Sequence, residues 1–142
     1  MDSKHSAQAA EVLAAYKKYL EAFLSNDMNG INALVLYPLA YVGDGVVKMF
    51  DEFPIKPSEL MAQTGWRDTL NMQYEVVAVS DTKAHLILRS GTRVRADGSP
   101  IEEISGFYAW TRTTAGWKIF AISDVRCAIH SVTGLSSLRE SP

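Results

Sequence analysis

The sequence has little of several things, and each shortage excludes a class of protein. Only one of its 142 residues is a cysteine, Cys127, so a domain stapled by its own disulfides is excluded. Its 14 basic residues do not exceed its 16 acidic ones, whereas a nucleic-acid binder needs a cationic excess to neutralise phosphates. No apolar run approaches the roughly 20 residues of a membrane span, and residues 1–10 lack the apolar core of a signal peptide. We therefore expect a cytoplasmic protein with no membrane and no nucleic-acid partner.

The composition that remains is that of a globular protein. Hydrophobic residues make up 47% and charged residues 21%, which is close to the globular average. The length suits one domain with a sizeable core. No internal repeat, low-complexity tract or linker interrupts the chain. We expect a single domain over residues 1–142, with a core at about 9–129 and a mobile tail at 130–142, where large apolar residues are few.

Two helices are predicted at the start of the chain. Apolar side chains recur at steps of three and four between Val12 and Leu24, with charged residues on the other side, which predicts a long amphipathic helix. A polar break follows, and Asp27 is placed to cap a second, shorter helix. Pro38 ends this region, because a proline ring disfavours helix at the preceding residue.

A small hairpin and a third helix are predicted next. Residues 39–42 and 46–50 are short β-prone runs on either side of the turn Gly43-Asp44-Gly45. Pro57 suits the first turn of a helix. We expect this helix to run to about Thr69 and so to include Trp66.

From residue 72 onward every segment has the character of a strand. Four strands are predicted over residues 73–80, 84–96, 101–113 and 117–129, separated by short turns rich in Gly, Asp and Ser. Arg89, Arg93 and Arg95 are the nearest thing to a basic patch, and we interpret them as the solvated end of a hairpin. Leading helices followed by a strand meander predict an α+β fold, a curved antiparallel sheet wrapped around the helices.

Two stretches of the sequence resemble a known superfamily. Residues 19–27, with Gly30, Ile31 and Leu34, form an aromatic and small-residue helix that ends in a polar Asp corner. Residues 107–110, followed by 116–119, form an aromatic hairpin. Both are similar to the nuclear transport factor 2-like superfamily, also called SnoaL-like or ketosteroid-isomerase-like, over about residues 9–127. The resemblance implies a cone-like fold but no one activity, since the superfamily holds isomerases, cyclases, dehydratases, epoxide hydrolases and non-enzymes.

Strand alternation predicts which side chains reach the inside of such a cone, because successive residues of a strand point to opposite faces. Matching the hairpin to the isomerases turns alternate residues of the last three strands inward. Together with the helix stripe, they give an aromatic, apolar pocket that suits a small apolar or aromatic ligand. The predicted pocket residues are Tyr16, Phe23, Tyr41, Trp66, Leu86, Leu88, Tyr108, Trp110, Ala121 and Ser123.

The same alternation predicts an apolar outer face on the sheet. An exposed apolar patch of this size needs a cover. Members of the superfamily commonly dimerise through this face, and a two-fold contact between sheets is the economical explanation. The residues expected in this homodimer face are Ile87, Phe107, Ala109, Phe120 and Ile122.

Candidate catalytic residues come from the resemblance to ketosteroid isomerases. Tyr19 stands eight positions before Asp27, as the oxyanion-stabilising tyrosine does in those enzymes, but it also suits simple packing. Their general base corresponds by offset to Gly43, with Asp44 one step on, but Asp44 stands between two glycines and suits a turn better than a base. Their protonated acid corresponds to Tyr108, a departure that argues against steroid isomerisation.

Other reactive residues are given structural roles. His5, His85 and His130 are scattered over the chain, so no metal site and no cofactor are predicted. Asp124 and Arg126 take the outward alternation, which predicts ion pairs at the rim or the interface. Cys127 has no histidine partner and is expected to be a buried, inert thiol.

Two functions remain open on the sequence. The first is a homodimeric cone that binds a small apolar or aromatic molecule and acts on it as an isomerase, cyclase or dehydratase. The alternative is a non-catalytic ligand carrier or dimerisation module of the same fold. An ionisable group inside the pocket would distinguish them, and the sequence offers no strong candidate for one.

Overall fold

A computed structural model describes residues 3–129, so the predicted tail and His130 lie outside the described residues. The helices and strands follow the predicted order and confirm the α+β class. In chain order they are α1 (Ser3–Leu24), α2 (Met28–Asn32), β1 (Val35–Val42), β2 (Val47–Phe50), α3 (Pro57–Thr64), β3 (Trp66–Val79), β4 (Lys83–Arg95), β5 (Pro100–Thr113) and β6 (Gly116–Ala128). None of the described helices is long and apolar enough to cross a membrane.

The strands form one sheet in the order β2-β1-β6-β5-β4-β3. The strands from β3 to β6 are antiparallel neighbours, as the meander predicts. The hairpin β1–β2 joins the sheet through a parallel pairing of β1 with β6. Helix α1 contacts β3 and β6, so the long helix lies across the sheet and covers one of its faces.

The core lies between α1 and this covered face. The predicted stripe of α1 is buried there, because a helix with one apolar side gains most by placing it against apolar strand residues. Its buried members, Val12, Tyr16, Tyr19 and Phe23, belong to one cluster with the inward residues of the sheet. Those sheet residues include Leu86, Leu88, Ile104, Tyr108, Trp110, Trp117, Ile119 and Ile122.

The corner between the first two helices forms as predicted. Asp27 caps α2, and its carboxylate accepts a hydrogen bond from the backbone N–H of Gly30 at 3.0 Å. Position 30 has room for glycine alone. A Cβ there would lie 2.6 Å from the Asp27 carboxylate and 3.0 Å from the Ala22 Cβ.

The third helix is shorter than predicted. It ends at Thr64 because Gly65 adopts the left-handed conformation, with φ of +81°, and its N–H donates to the Met61 carbonyl at 2.9 Å. The expected extension to Thr69 is wrong. Trp66 is therefore the first residue of strand β3, not part of a helix.

An extra residue in β6 exchanges the faces of that strand. Ala109 pairs with Ala121 but Trp110 pairs with Ile119, so Phe120 has no partner of its own in β5. The residues of β6 after Phe120 therefore point to the side opposite to the predicted one. Ile122 pairs with Tyr108 and is 2% exposed, so its expected place on the outer face is wrong.

A second irregularity changes the faces of β4. Leu88 pairs with Gly106 while Gly91 pairs with Ile104, which leaves one extra residue in β4. The shift brings Arg93 to the covered face, opposite Glu102 and 7% exposed. Our interpretation of Arg93 as a solvated hairpin residue is wrong.

Candidate functional site

A cavity of about 100 Å³ lies between α1 and strands β3, β4 and β5. Five aromatic rings dominate its wall, and the exposed residues Leu24 and Asp68 place its mouth at the surface. The residues around it are Tyr16, Tyr19, Leu20, Phe23, Leu24, Trp66, Asp68, Thr69, Met72, Leu88, Arg93, Ile104 and Tyr108.

The predicted pocket residues divide into two groups. Tyr16, Phe23, Trp66, Leu88 and Tyr108 lie around this cavity, together with Tyr19. The others lie elsewhere in the molecule, for different reasons, and they are Tyr41, Leu86, Trp110, Ala121 and Ser123.

Leu86 and Trp110 are fully buried and belong to the solid core. Ala121 pairs with Ala109 on the outer side of the sheet. Ser123 lies with Ile87 and Phe107 in a shallow surface concavity. The bulge at Phe120 moved these two β6 residues outward, so their predicted inward placement is wrong.

Tyr41 and Asp44 lie together at the β1–β2 hairpin, in a separate surface concavity. Asp44 is exposed in the turn, and neither residue is among those around the cavity. The structure therefore does not bring the candidate base Asp44 together with Tyr19.

Three tyrosines contribute their hydroxyl groups to the cavity wall. The Tyr16 and Tyr108 ring centroids are 5.0 Å apart, and the Tyr19 ring lies 5.8 Å from each of them. Burial raises the pKa of all three phenols, and Tyr108 raises those of Tyr16 and Tyr19 further. All three are therefore neutral hydrogen-bond donors at physiological pH.

The Tyr16 hydroxyl is buried and has no hydrogen-bond partner among the described residues. The Tyr108 phenol is close enough to act on its pKa, yet no hydrogen bond of ordinary geometry joins the two hydroxyls. An unpaired buried hydroxyl costs about 1–3 kcal/mol of stability. A bound group that accepts a hydrogen bond from this hydroxyl would remove this cost.

A row of charges continues from the cavity along the covered face. Arg93 donates from Nη1 to Glu102 at 2.7 Å, and Arg126 donates from Nε to the same carboxylate at 3.0 Å. The side chains of Arg93 and Glu102 are 9% and 8% exposed, and that of Arg126 is 44% exposed. Burial by itself raises the pKa of Glu102, but the two arginines outweigh it and hold the pKa below its ordinary value.

Asp124 lies on the same side of the sheet as these charges. It accepts a hydrogen bond from the Tyr41 hydroxyl at 2.5 Å, and it pairs with Gly106, two residues before Tyr108. Its charge raises the pKa of Tyr19, whereas Arg93 lowers it, so both charges act on that phenol. The predicted outward placement of Asp124 and Arg126 is wrong, again because of the extra residue at Phe120.

The remaining candidates do not form a site. Cys127 is exposed, so the prediction of a buried thiol is wrong. Within residues 3–129, no group of three His, Cys, Asp or Glu side chains is arranged to hold a metal ion.

Arg93 and Asp124 are two charged residues near the cavity that strand alternation placed on the wrong face. A glycine inside a strand often marks a bulge, so Gly91 is a signal for the shift that buries Arg93. The bulge at Phe120 carries no such mark, because its neighbours are ordinary strand residues.

The chain matches no protein-family model and no curated protein. It does match solved structures. A candidate dehydratase of the nuclear transport factor 2-like family from Streptomyces avermitilis has a TM-score of 0.62 at 14% identity, with 89% of this chain and 99% of that one covered. A nuclear transport factor 2-like protein of unknown function from Shewanella baltica has a TM-score of 0.58 at 10% identity, with 92% and 100% covered.

A third structure is that of a candidate aromatic ring hydroxylase from Novosphingobium aromaticivorans. Its TM-score is 0.58 at 12% identity, with 89% of this chain and 92% of that chain covered. Identities this low establish the fold alone. The helices, the curved six-stranded sheet and these likenesses together show that the chain has the fold of the nuclear transport factor 2-like superfamily, with no specific member indicated.

Proposed function

We propose that the cavity beside Tyr19 binds a small, largely apolar or aromatic molecule. The observation that carries this proposal is the buried Tyr16 hydroxyl without a partner, in a cavity walled by aromatic rings. A ligand oxygen would accept from this hydroxyl or from its neighbours Tyr19 and Tyr108 while the rings cover its apolar part.

The size of the cavity limits the ligand. Engineered cavities of roughly 150 Å³ hold a benzene molecule, and pockets for larger ligands span about 300–1,000 Å³. The cavity of about 100 Å³ is smaller than this, so it holds at most a single small ring, with any polar substituent extending into the open mouth. A steroid would require the helix to move away from the sheet.

Isomerase, cyclase or dehydratase chemistry needs a proton acceptor near the ligand. Asp124 is a better candidate than Asp44, because its charge acts on both Tyr19 and Tyr108. In such an enzyme Tyr19 would donate to the oxygen on which negative charge develops. The carrier alternative is favoured by the lining itself, in which the one carboxylate is Asp68, exposed at the mouth.

We further propose a cytoplasmic homodimer that meets through the outer face of the sheet. Phe107, Phe120 and Ile87 remain half-buried there, whereas Ala109 is 5% exposed and is already covered within the chain. Parts of this face are covered by the chain itself, since His85 packs on Phe107 and the Lys83 ammonium lies over the Phe120 ring. An exposed free thiol at Cys127 is typical of a reducing compartment, which supports the cytoplasm.

A ligand screen tests the binding proposal. Single-ring alcohols, ketones and carboxylates are added to the labelled protein, and shifts of NMR signals from Tyr16, Tyr19 and Tyr108 are recorded. We expect saturable shifts confined to residues around the cavity. The proposal would be contradicted if every tested ring compound bound away from the cavity, or if none bound. Incubation of the ligands that bind, with analysis of products, then separates an enzyme from a carrier.

A further inference from the structure

We infer that the molecule bound in this cavity carries a carboxylate, and that Arg93 is the residue that binds it. The inference rests on the proposed binding function and narrows it from small apolar molecules to small aromatic carboxylates.

Arg93 is the positive charge in the cavity wall, and it is only partly used by the protein. Its side chain is 9% exposed, and Nη1 donates to Glu102 at 2.7 Å. Its Nε is buried and has no hydrogen-bond partner among the described residues. A guanidinium presents five N–H donors in a rigid fork that matches a carboxylate, so one bond to Glu102 leaves capacity for a second carboxylate.

The other unpaired group of the wall is also able to donate. The Tyr16 hydroxyl lacks a partner, and the phenols of Tyr16, Tyr19 and Tyr108 keep their protons. The acceptors near the mouth are partly engaged, since Thr69 Oγ1 accepts from the Trp66 indole N–H and one oxygen of the exposed Asp68 accepts from the Thr69 N–H. A surplus of donors matches a group that only accepts. An ionised carboxylate offers about four lone-pair positions, whereas a neutral carbonyl offers two.

The charges around Arg93 leave its guanidinium able to bind a ligand carboxylate. Glu102 is shared between Arg93 and Arg126, so these three side chains carry one net positive charge. Asp124 opposes part of this charge. Its carboxylate also interacts with Arg126 and accepts a hydrogen bond from the Tyr41 hydroxyl. Glu102 also holds the guanidinium in place, which reduces the ordering cost of binding an anion.

The ring of the ligand has its own place in the wall. Phe23 and Trp66 meet edge to face, with centroids 5.3 Å apart, on the apolar side of the cavity. An aromatic carboxylate would pack its ring among these side chains and direct its charged end to Arg93.

The test compares benzoate with two neutral molecules of nearly the same shape, benzamide and benzyl alcohol. Binding to the full chain is measured by NMR titration or calorimetry at constant ionic strength. We expect benzoate to bind at least about tenfold more tightly than either, because a charge-assisted bidentate pair is roughly twice as strong as a neutral hydrogen bond.

Three variants assign the site. Arg93→Gln should reduce the preference for benzoate to less than about threefold while the neutral molecules still bind, since only the charge-assisted bonds are lost. The matched control is Arg95→Gln, which removes the same charge from an exposed residue of the same strand and should keep the preference. Arg93→Lys keeps the charge without the fork and should lie between the two. If Arg93→Gln does not fold, the inference is still tested by the preference of the wild type for benzoate and by the reduction of that preference in Arg93→Lys.

The possible failures are distinguishable. If benzamide or benzyl alcohol binds as tightly as benzoate, the carboxylate inference is overturned and the proposed binding function stands. If the preference persists in Arg93→Gln, the anion is bound elsewhere and the inference is overturned. If none of the three molecules binds, the inference fails together with the proposed function.

Discussion

The Tyr19 side chain is buried, and its ring packs against those of Tyr16, Phe53 and Tyr108 while it also borders the cavity. Tyr19→Phe removes only the hydroxyl. We expect the variant to keep its stability and to bind an oxygen-bearing ring less tightly by roughly 0.5–1.5 kcal/mol, the net value of a neutral hydrogen bond. Calorimetry with matched ring compounds measures this. Unchanged affinity would show that Tyr19 only packs. If the protein is an enzyme, the variant should lose mainly turnover and less substrate affinity.

Glu102 forms ion pairs with two arginines, Arg93 and Arg126. Glu102→Gln leaves Arg93 buried beside a neutral group, which should lower the free energy of unfolding by roughly 3 kcal/mol. Denaturant unfolding at neutral pH measures this loss. The control is Glu103→Gln. Glu103 is the next residue, is half-buried and accepts a hydrogen bond from the Thr92 hydroxyl, so this exchange should lower the free energy of unfolding much less.

The same carboxylate predicts a pH dependence. The pKa of Glu102 is lower in the folded protein than its ordinary value, so the folded state binds its proton less readily than the unfolded state does. Its stabilisation is therefore complete above the unfolded pKa and is lost as the pH falls through the folded pKa. Unfolding measured from about pH 5 downward should show a steeper loss for the wild type than for Glu102→Gln. Parallel curves would contradict the assignment.

At the scale of elements, the end of α3 depends on the backbone of one residue. Gly65 has φ of +81°, and a Cβ there would meet the Arg95 side chain at 3.5 Å, an ordinary contact. Gly65→Ala should therefore lower the free energy of unfolding by about 1 kcal/mol through backbone strain alone. Gln63→Ala, at an exposed position of the same helix, should not lower it. Thermal unfolding of both variants is the measurement, and equal midpoints would contradict this account of the helix end.

The sequence predicted the elements better than it predicted their faces. Strands β4, β5 and β6 lie within one residue of their predicted bounds, because glycine-containing turns mark where β5 and β6 begin. The end of α3 was missed because Gly65 was treated as a weak helical residue, although glycine commonly terminates a helix. The faces of β6 were predicted wrongly beyond Phe120, since a bulge depends on how two strands pair and not on local composition.

At the scale of the whole molecule, two apolar surfaces compete as the site of self-association. One is the outer face with Phe107 and Phe120, which are half-buried. The other is the β1–β2 hairpin, where Val47 is 66% and Met49 60% exposed. We expect Phe120→Glu to convert a dimer to a monomer, because an unpaired charge would enter an apolar contact. Light scattering at micromolar concentration measures the mass.

Val47→Glu is the matched control and should leave the mass unchanged. If it separates the dimer instead, the hairpin is the interface, and a monomeric wild type would exclude both surfaces. Ile122, which the sequence placed on the outer face, is unsuitable for this test. A glutamate there would enter the core opposite Tyr108 and unfold the chain.

The single extra residue in β6 also affects how this chain should be compared with its relatives. An alignment that runs without a gap through this strand would match Asp124 with residues on the opposite face of any relative that lacks the bulge. A conserved acid lining a relative's interior would then be set against Ser123 or Val125, and a shared reaction would be overlooked. One gap at Phe120 restores the correspondence of the two interiors.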